Sequence, residues 1–112
     1  MAQSFSAAEL ITKIIAFNHC WKMAQQRYGN TSAIARMLRD QKSILQAALL
    51  RENLGYLQPD PDAEEEALFS VRLKTPIYLN GVTRVDAEHM PVRIAEEIFT
   101  DQELNKLLSK GI

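Results

Sequence analysis

An α+β fold is what this chain predicts, and three features of the sequence carry that expectation. Helical periodicity runs through residues 5–57 with a Gly29-Asn30 interruption, Asn80-Gly81 separates two alternating segments, and helical spacing returns towards the C-terminus. The expected layout is a long antiparallel helical hairpin over 5–57, a proline-rich and acidic linker over 58–66, a small antiparallel β-hairpin over 67–86 and two short helices over 87–112. A chain of 112 residues supports one modest core, so these segments are expected to share a single domain.

The first helix should begin at Ser6, because Glu9 three residues on completes a reciprocal pair in which each side chain satisfies an orphan amide of the first turn. Ala7, Leu10, Ile14, Phe17, Trp21, Ala24 and Tyr28 then recur at spacings of three and four and form one stripe, which Ile11, Ile15 and Cys20 broaden. Gly29 ends the helix, and Asn30 or Thr31 is placed to cap the next one. From Thr31 to Leu57 no proline intervenes, and Ile34, Leu38, Gln41, Leu45, Ala48 and Glu52 form a second stripe with Met37, Ile44 and Leu49 beside it. A link this short folds the second helix back on the first. Two helices alone leave one flank of each stripe wet, so the hairpin needs the C-terminal half or a second copy of itself, and a dimeric four-helix arrangement is an economical solution.

Residues Gly55 to Ala63 contain Pro59 and Pro61, which fix the backbone and withhold amide donors, and they are expected to form no regular element. Beyond the acids Glu64 to Glu66, the alternation Phe69, Val71, Leu73 against Ser70, Arg72 and Lys74 predicts a strand. Pro76 belongs at a strand start or edge. Asn80-Gly81 is the dipeptide best suited to the two positive-φ positions of a tight turn, and Val82 to Val85 supply the return strand. Pro91 fits a first helical turn ahead of Val92, Ile94, Ala95, Ile98 and Phe99. Thr100 and Glu103 repeat the reciprocal cap before Leu104, Leu107 and Leu108, and Gly111 closes the segment.

Composition narrows the function. Lys13, Asn18, His19 and Lys22 interrupt the best apolar run, so no membrane span is expected. The N-terminus lacks the basic and apolar regions of a secretory signal, and Cys20 has no partner for an internal disulfide; both point to a cytoplasmic protein. The net charge of −1 conceals an asymmetry: residues 1–51 carry seven basic side chains against two acidic, whereas residues 52–112 carry six against twelve. Such a dipole suits a basic face for an anionic partner, or two halves that attract each other, in which case the acidic half masks the basic one.

The basic half contains the most suggestive motif. Gly29-Asn30, Ala35, Leu38, Leu45 and Leu49, within Gly29 to Gly55, resemble the C-terminal module of the Fis-type helix-turn-helix family. The resemblance covers about a quarter of the chain, and it implies a second helix near Lys42 to Arg51 in a major groove with Arg36 and Arg39 near phosphates. The family's tight-turn glycine falls on Arg39 and its next apolar residue on Asp40, so the residues themselves predict an uninterrupted helix.

Other chemistry finds little footing. His19 and Cys20 are adjacent and point about 100° apart on a helix, which makes them poor joint ligands and Cys20 a small buried hydrophobe. Asp60, Asp62 and Glu64 start like a calcium loop, but Glu65 replaces its glycine and Val71 its bidentate glutamate. Asp86, Glu88 and His89 read as a charged surface turn. No phosphate-binding glycine loop, nucleophile elbow or zinc-protease motif occurs, so no catalytic residue, metal or cofactor is assigned and a non-enzymatic role is expected. The expectation is a small regulatory protein that homodimerises through its hairpin, with Ile14, Phe17, Trp21, Ile34, Leu38 and Leu45 as core or self-association residues, and that also meets a protein partner. The competing expectation is a DNA-binding regulator using Arg36, Arg39, Lys42 and Arg51 to displace counterions from a duplex.

Overall fold

The computed structural model describes residues 6–63 and 66–109. It is α+β in the order α1 (Ala7–Tyr28), α2 (Ala33–Arg51), β1 (Gly55–Pro59), β2 (Leu68–Leu79), β3 (Val82–Pro91), α3 (Val92–Ile98) and α4 (Asp101–Ser109). The expectations for Glu64, Glu65 and Gly111 lie outside the described residues.

Local chemistry sets the helix ends. Ser6 caps α1 through the reciprocal pair with Glu9, at 3.2 and 3.3 Å. Gly29, at φ 90°, ends it with its amide donating to the Gln25 carbonyl. The cap of α2 is Ser32, rather than Asn30 or Thr31: its hydroxyl accepts from the Ala35 amide and so satisfies a donor of the first turn. Thr100 and Glu103 pair as the sequence implies, at 3.0 and 3.1 Å.

Helix α2 passes through Arg39 and Asp40 without interruption, so the break that defines a helix-turn-helix is missing and the resemblance loses its structural basis. The helix stops at Arg51, six residues short of the expected Leu57, and Asn53 reverses the chain at φ 64°. The segment expected to be linker then begins a strand. In β1, Leu57 is fully buried and Gln58 exposed, and the strand pairs antiparallel with β2 from Gly55 opposite Leu73 to Pro59 opposite Phe69. Proline is tolerated there because β1 is an edge strand that ends at that residue. Gly55 is needed for a different reason: a Cβ on it would collide with the Arg72 carbonyl oxygen across the ladder.

The sheet therefore has three strands in the order β1-β2-β3 instead of the two of a simple hairpin. Asn80 and Gly81, at φ 50° and 80°, make the β2–β3 turn. Pro76 lies beyond the reach of β1, where the β2–β3 register also slips between Arg72 and Ile77. β3 runs to Pro91, past the expected limit of residue 86, because an extra residue at Ala87-Glu88 forms a bulge, with Glu88 at φ 67°, and lets pairing resume at His89 opposite Ser70. The C-terminal helices consequently start at Val92 rather than residue 87.

One face of the sheet is covered. Phe69, Val71, Leu73, Leu57, Ala87 and Met90 meet Leu10, Ile11 and Ile14 of α1, Ala47, Leu49 and Leu50 of α2, and Ala95, Phe99 and Leu107 of α3 and α4. The core thus engages the first half of α1 and the second half of α2, leaving the turn end of the hairpin beyond the sheet. Gly55→Ala should lower the unfolding free energy by roughly 1–3 kcal/mol in urea denaturation, because the ladder must open around the new methyl. An unchanged midpoint would show that the β1–β2 approach is looser than the backbone implies.

Candidate functional site

Helix α2 sits in an orientation that its composition does not advertise. The face turned towards α1 and the sheet carries Lys42, Ser43 and Gln46, which are 3%, 0% and 0% exposed, whereas Met37 and Ile44, on the opposite side, are 54% and 55% exposed. Each of the three donates to a partner that explains its place, while Gln46 Oε1 is buried without one. Gln46 Nε2 donates to the carbonyls of Ala87 and His89, at 2.8 and 3.2 Å, on either side of the β3 bulge. Ser43 Oγ donates to the Arg39 carbonyl one turn back, at 3.0 Å. Lys42 Nζ donates to Asn18 Oδ1 at 3.0 Å and lies 5.0 Å from the centre of the Trp21 ring.

The Lys42 charge is expensive to hold there. Burial pushes its pKa down to about 8, and Arg39 and Lys22 push the same way, against the opposing pull of Glu88. The folded protein therefore binds this proton less tightly than the unfolded chain, and the penalty is complete below pH 8 and relieved as pH rises towards 10.5. The wild-type unfolding free energy should gain up to about 3 kcal/mol from this group across that interval. Lys42→Met should remove the gain, which urea titrations of both proteins at several pH values will measure; parallel pH profiles would refute the assignment.

Of the four basic residues expected at a nucleic-acid surface, Arg36 and Arg39 line one cleft, Arg39 and Lys42 share the Trp21 ring, and Arg51 lies apart. Arg39 is ion-paired with Glu66 and stacks over Trp21, with its guanidinium carbon 5.0 Å from the ring centre. Lys42 is buried, and Arg51 donates to Glu103 Oε2 and the Ile98 carbonyl, at 3.2 and 3.0 Å, at the far end of the helix. Arg36 alone of the four keeps its guanidinium clear of ion pairs and ring contacts among the described residues. It lines a cleft of about 590 Å³ in which Arg36, Arg39 and Arg93 are matched by Asp40, Glu66 and Glu97, so the cleft has no excess positive charge to offer a phosphate.

The six residues expected in core or interface divide. Ile14 is fully buried and belongs to the core. Leu45 is half-buried against that core, while Phe17 and Trp21 are half-buried on α1. Leu38 and Ile34 line an open apolar groove of about 350 Å³ between the helices, together with Cys20, Met23, Ala24, Arg27 and Tyr28. Cys20 is exposed, contrary to the buried position expected of it, because the sheet does not reach this far along α1.

Around and beyond that groove the hairpin carries exposed large apolar side chains. Met23, Tyr28, Ile34, Met37 and Ile44 are each about half exposed, at 55%, 58%, 45%, 54% and 55%. Apolar side chains scattered singly are ordinary on a protein surface, but five large ones at this exposure fall on the two helices of the hairpin, with Tyr78, Val82 and Val85 exposed around the β2–β3 turn. Among the described residues no group of three or more His, Cys, Asp or Glu is close enough to hold a metal ion, and no helix is long and apolar enough to cross a membrane. Asp86, Glu88 and His89, expected in a charged turn, lie instead on β3, where His89 Nε2 is 3.3 Å from Asp60 Oδ2 and Arg84 is 3.6 Å from Glu88.

Comparison with known proteins finds no match: no family model, no curated sequence and no solved structure.

Proposed function

We propose that this chain is a non-enzymatic interaction protein that self-associates through the outer face of the α1–α2 hairpin. The observation that carries the reading is the half-exposed set Met23, Tyr28, Ile34, Met37 and Ile44 on one side of the hairpin, opposite the side committed to the sheet. Burying such a set is favourable by about 25 cal/mol per Å² of apolar surface, and a second copy of the same face supplies a partner of equal size and chemistry. The sheet cannot cover this face, since it already occupies the other side of α2. Regulation by a further protein partner is compatible with the groove around Leu38, which remains a concave apolar feature at the rim of the patch.

Sedimentation equilibrium tests the reading. The native protein should sediment with the mass of two chains at micromolar concentration, and Ile44→Asp should sediment as one chain with an unaltered circular-dichroism spectrum, because the substituted side chain is exposed in the single chain. A native mass of one chain at every concentration tested would remove self-association from the account.

A further inference from the structure

The apolar core does not extend along the whole hairpin. No residue between Ile15 of α1 and Leu45 of α2 belongs to it. Through that stretch the fully buried apolar side chains are those of Ala24 and Ala35, and a methyl group removes little surface from water. Phe17, Trp21 and Leu38 beside them are half-buried. Separating the helices at Leu10, Ile11, Ile14, Leu49 and Leu50 would expose the core, whereas separating them at the turn end gives up few apolar contacts.

What closes the turn end is polar. The buried Lys42 ammonium has three protons to donate and, among the described residues, one acceptor, Asn18 Oδ1. Lys42 and Arg39 each lie 5.0 Å from the centre of the Trp21 ring, so two cations share one aromatic side chain. Glu66 answers Arg39, from outside the hairpin. The charges that bear on Lys42 itself are Arg39 on its own helix and Lys22 on α1, which repel it, and Glu88 on β3, which attracts it. Contact with a ring and one amide returns only part of what removing an ammonium from water costs. Opening the hairpin at this layer restores that hydration.

We propose that the turn half of the hairpin, residues 18–42, is a conformational switch that opens as a unit while the core half stays folded, with the buried Lys42 ammonium as the charge that drives it open. Regions with few buried apolar contacts are the ones that open sub-globally. The switch goes beyond self-association and does not rest on it. Opening returns Lys42 from a pKa of about 8 to its ordinary 10.5, so the open form binds the proton more tightly. Protons therefore favour opening: it is most frequent below pH 8 and is suppressed as the pH rises towards 10.5. Met23, Tyr28, Ile34 and Met37 ride on this half, so their placement relative to one another belongs to the closed form alone.

Native-state hydrogen exchange in low concentrations of urea, read amide by amide as protection factors, tests this on the full chain. Amides of the second half of α1 and the first half of α2 should share one opening constant with a shallow urea dependence, well above the constant for Ile11, Ile14, Leu49 and Leu50, which exchange through global unfolding. In the wild-type protein the opening constant of the turn half should fall roughly tenfold between pH 7 and pH 9. Lys42→Met, with Lys42→Gln as the second variant, should lower it at pH 7 and abolish that pH response. Turn-half amides with the protection and urea dependence of Leu49 and Leu50 would overturn the proposal, because the hairpin would then open only with the whole domain. Amides that fray one by one without a shared urea dependence would overturn it as well. An opening constant that does not fall between pH 7 and pH 9, or that falls equally in both variants, would remove Lys42 as the driving charge.

Discussion

The pair of hydrogen bonds from Gln46 to the Ala87 and His89 carbonyls fixes the rotation of α2, and the rest of the architecture follows from that rotation. The bulge at Ala87-Glu88 breaks the regular ladder, and two carbonyls flanking Glu88 are met by one fully buried amide. Losing the amide would leave those acceptors unpaired in the interior, a cost of about 1–3 kcal/mol for each that stays dry. With Gln46 held inward, Ser43 and Lys42 must follow on the same face, and Met37 and Ile44 are carried to the outside. The apolar outer face is thus a consequence of a polar anchor on the inner one.

This arrangement also explains why the two ends of the hairpin behave differently. Near the sheet, Leu10, Ile11 and Ile14 pack on Leu49 and Leu50 as an ordinary apolar interior. Towards the turn, the contact between α1 and α2 becomes polar and aromatic, with Asn18, Lys42, Arg39 and Trp21 stacked together. A buried amine held by one amide and one ring gives less stability than a packed aliphatic layer, and it confers direction: Lys42 satisfies Asn18 in only one register of the two helices. The charge dipole of the chain is partly spent within the fold, through Arg39 to Glu66 and Arg51 to Glu103, while Lys22, Arg27 and Arg36 stay exposed near the turn of the hairpin.

Much of the fold was legible in the sequence because it is specified locally. The reciprocal caps at Ser6-Glu9 and Thr100-Glu103, the terminator Gly29 and the turn Asn80-Gly81 each work through neighbours within four residues, and a reader of the sequence has those in view. β1 was hidden because its pairing partner lies on β2, and two prolines in the neighbourhood argued against a strand; Gly55 was the available signal, as a residue without a side chain where another backbone must pass. The bulge in β3 gave no warning, since Glu88 at positive φ is an unusual choice for that position. At the candidate surface, Ile34 and Leu38 were read together with Ile14 as core or self-association positions, and Ile14 could not be separated from them before the sheet was placed. Met37 and Ile44 were visible only as flankers of a stripe through Leu38 and Leu45, because two overlapping three-four patterns run along α2 and nothing local says that Gln46 and Lys42 face inward. Cys20 was misplaced for the same reason: the extent of the sheet determines what it covers.

The central claim is that the face opposite Gln46 is closed by another copy of the chain. Methyl-resolved NMR spectra recorded through a dilution series address it directly, with assigned signals for Met23, Ile34, Met37 and Ile44 on the outer face and Ile14 and Met90 in the core. The account predicts that the outer-face methyls shift together along one concentration-dependent transition while Ile14 and Met90 hold their positions. Outer-face methyls that stay fixed across the series, in a protein that remains one chain, would contradict it.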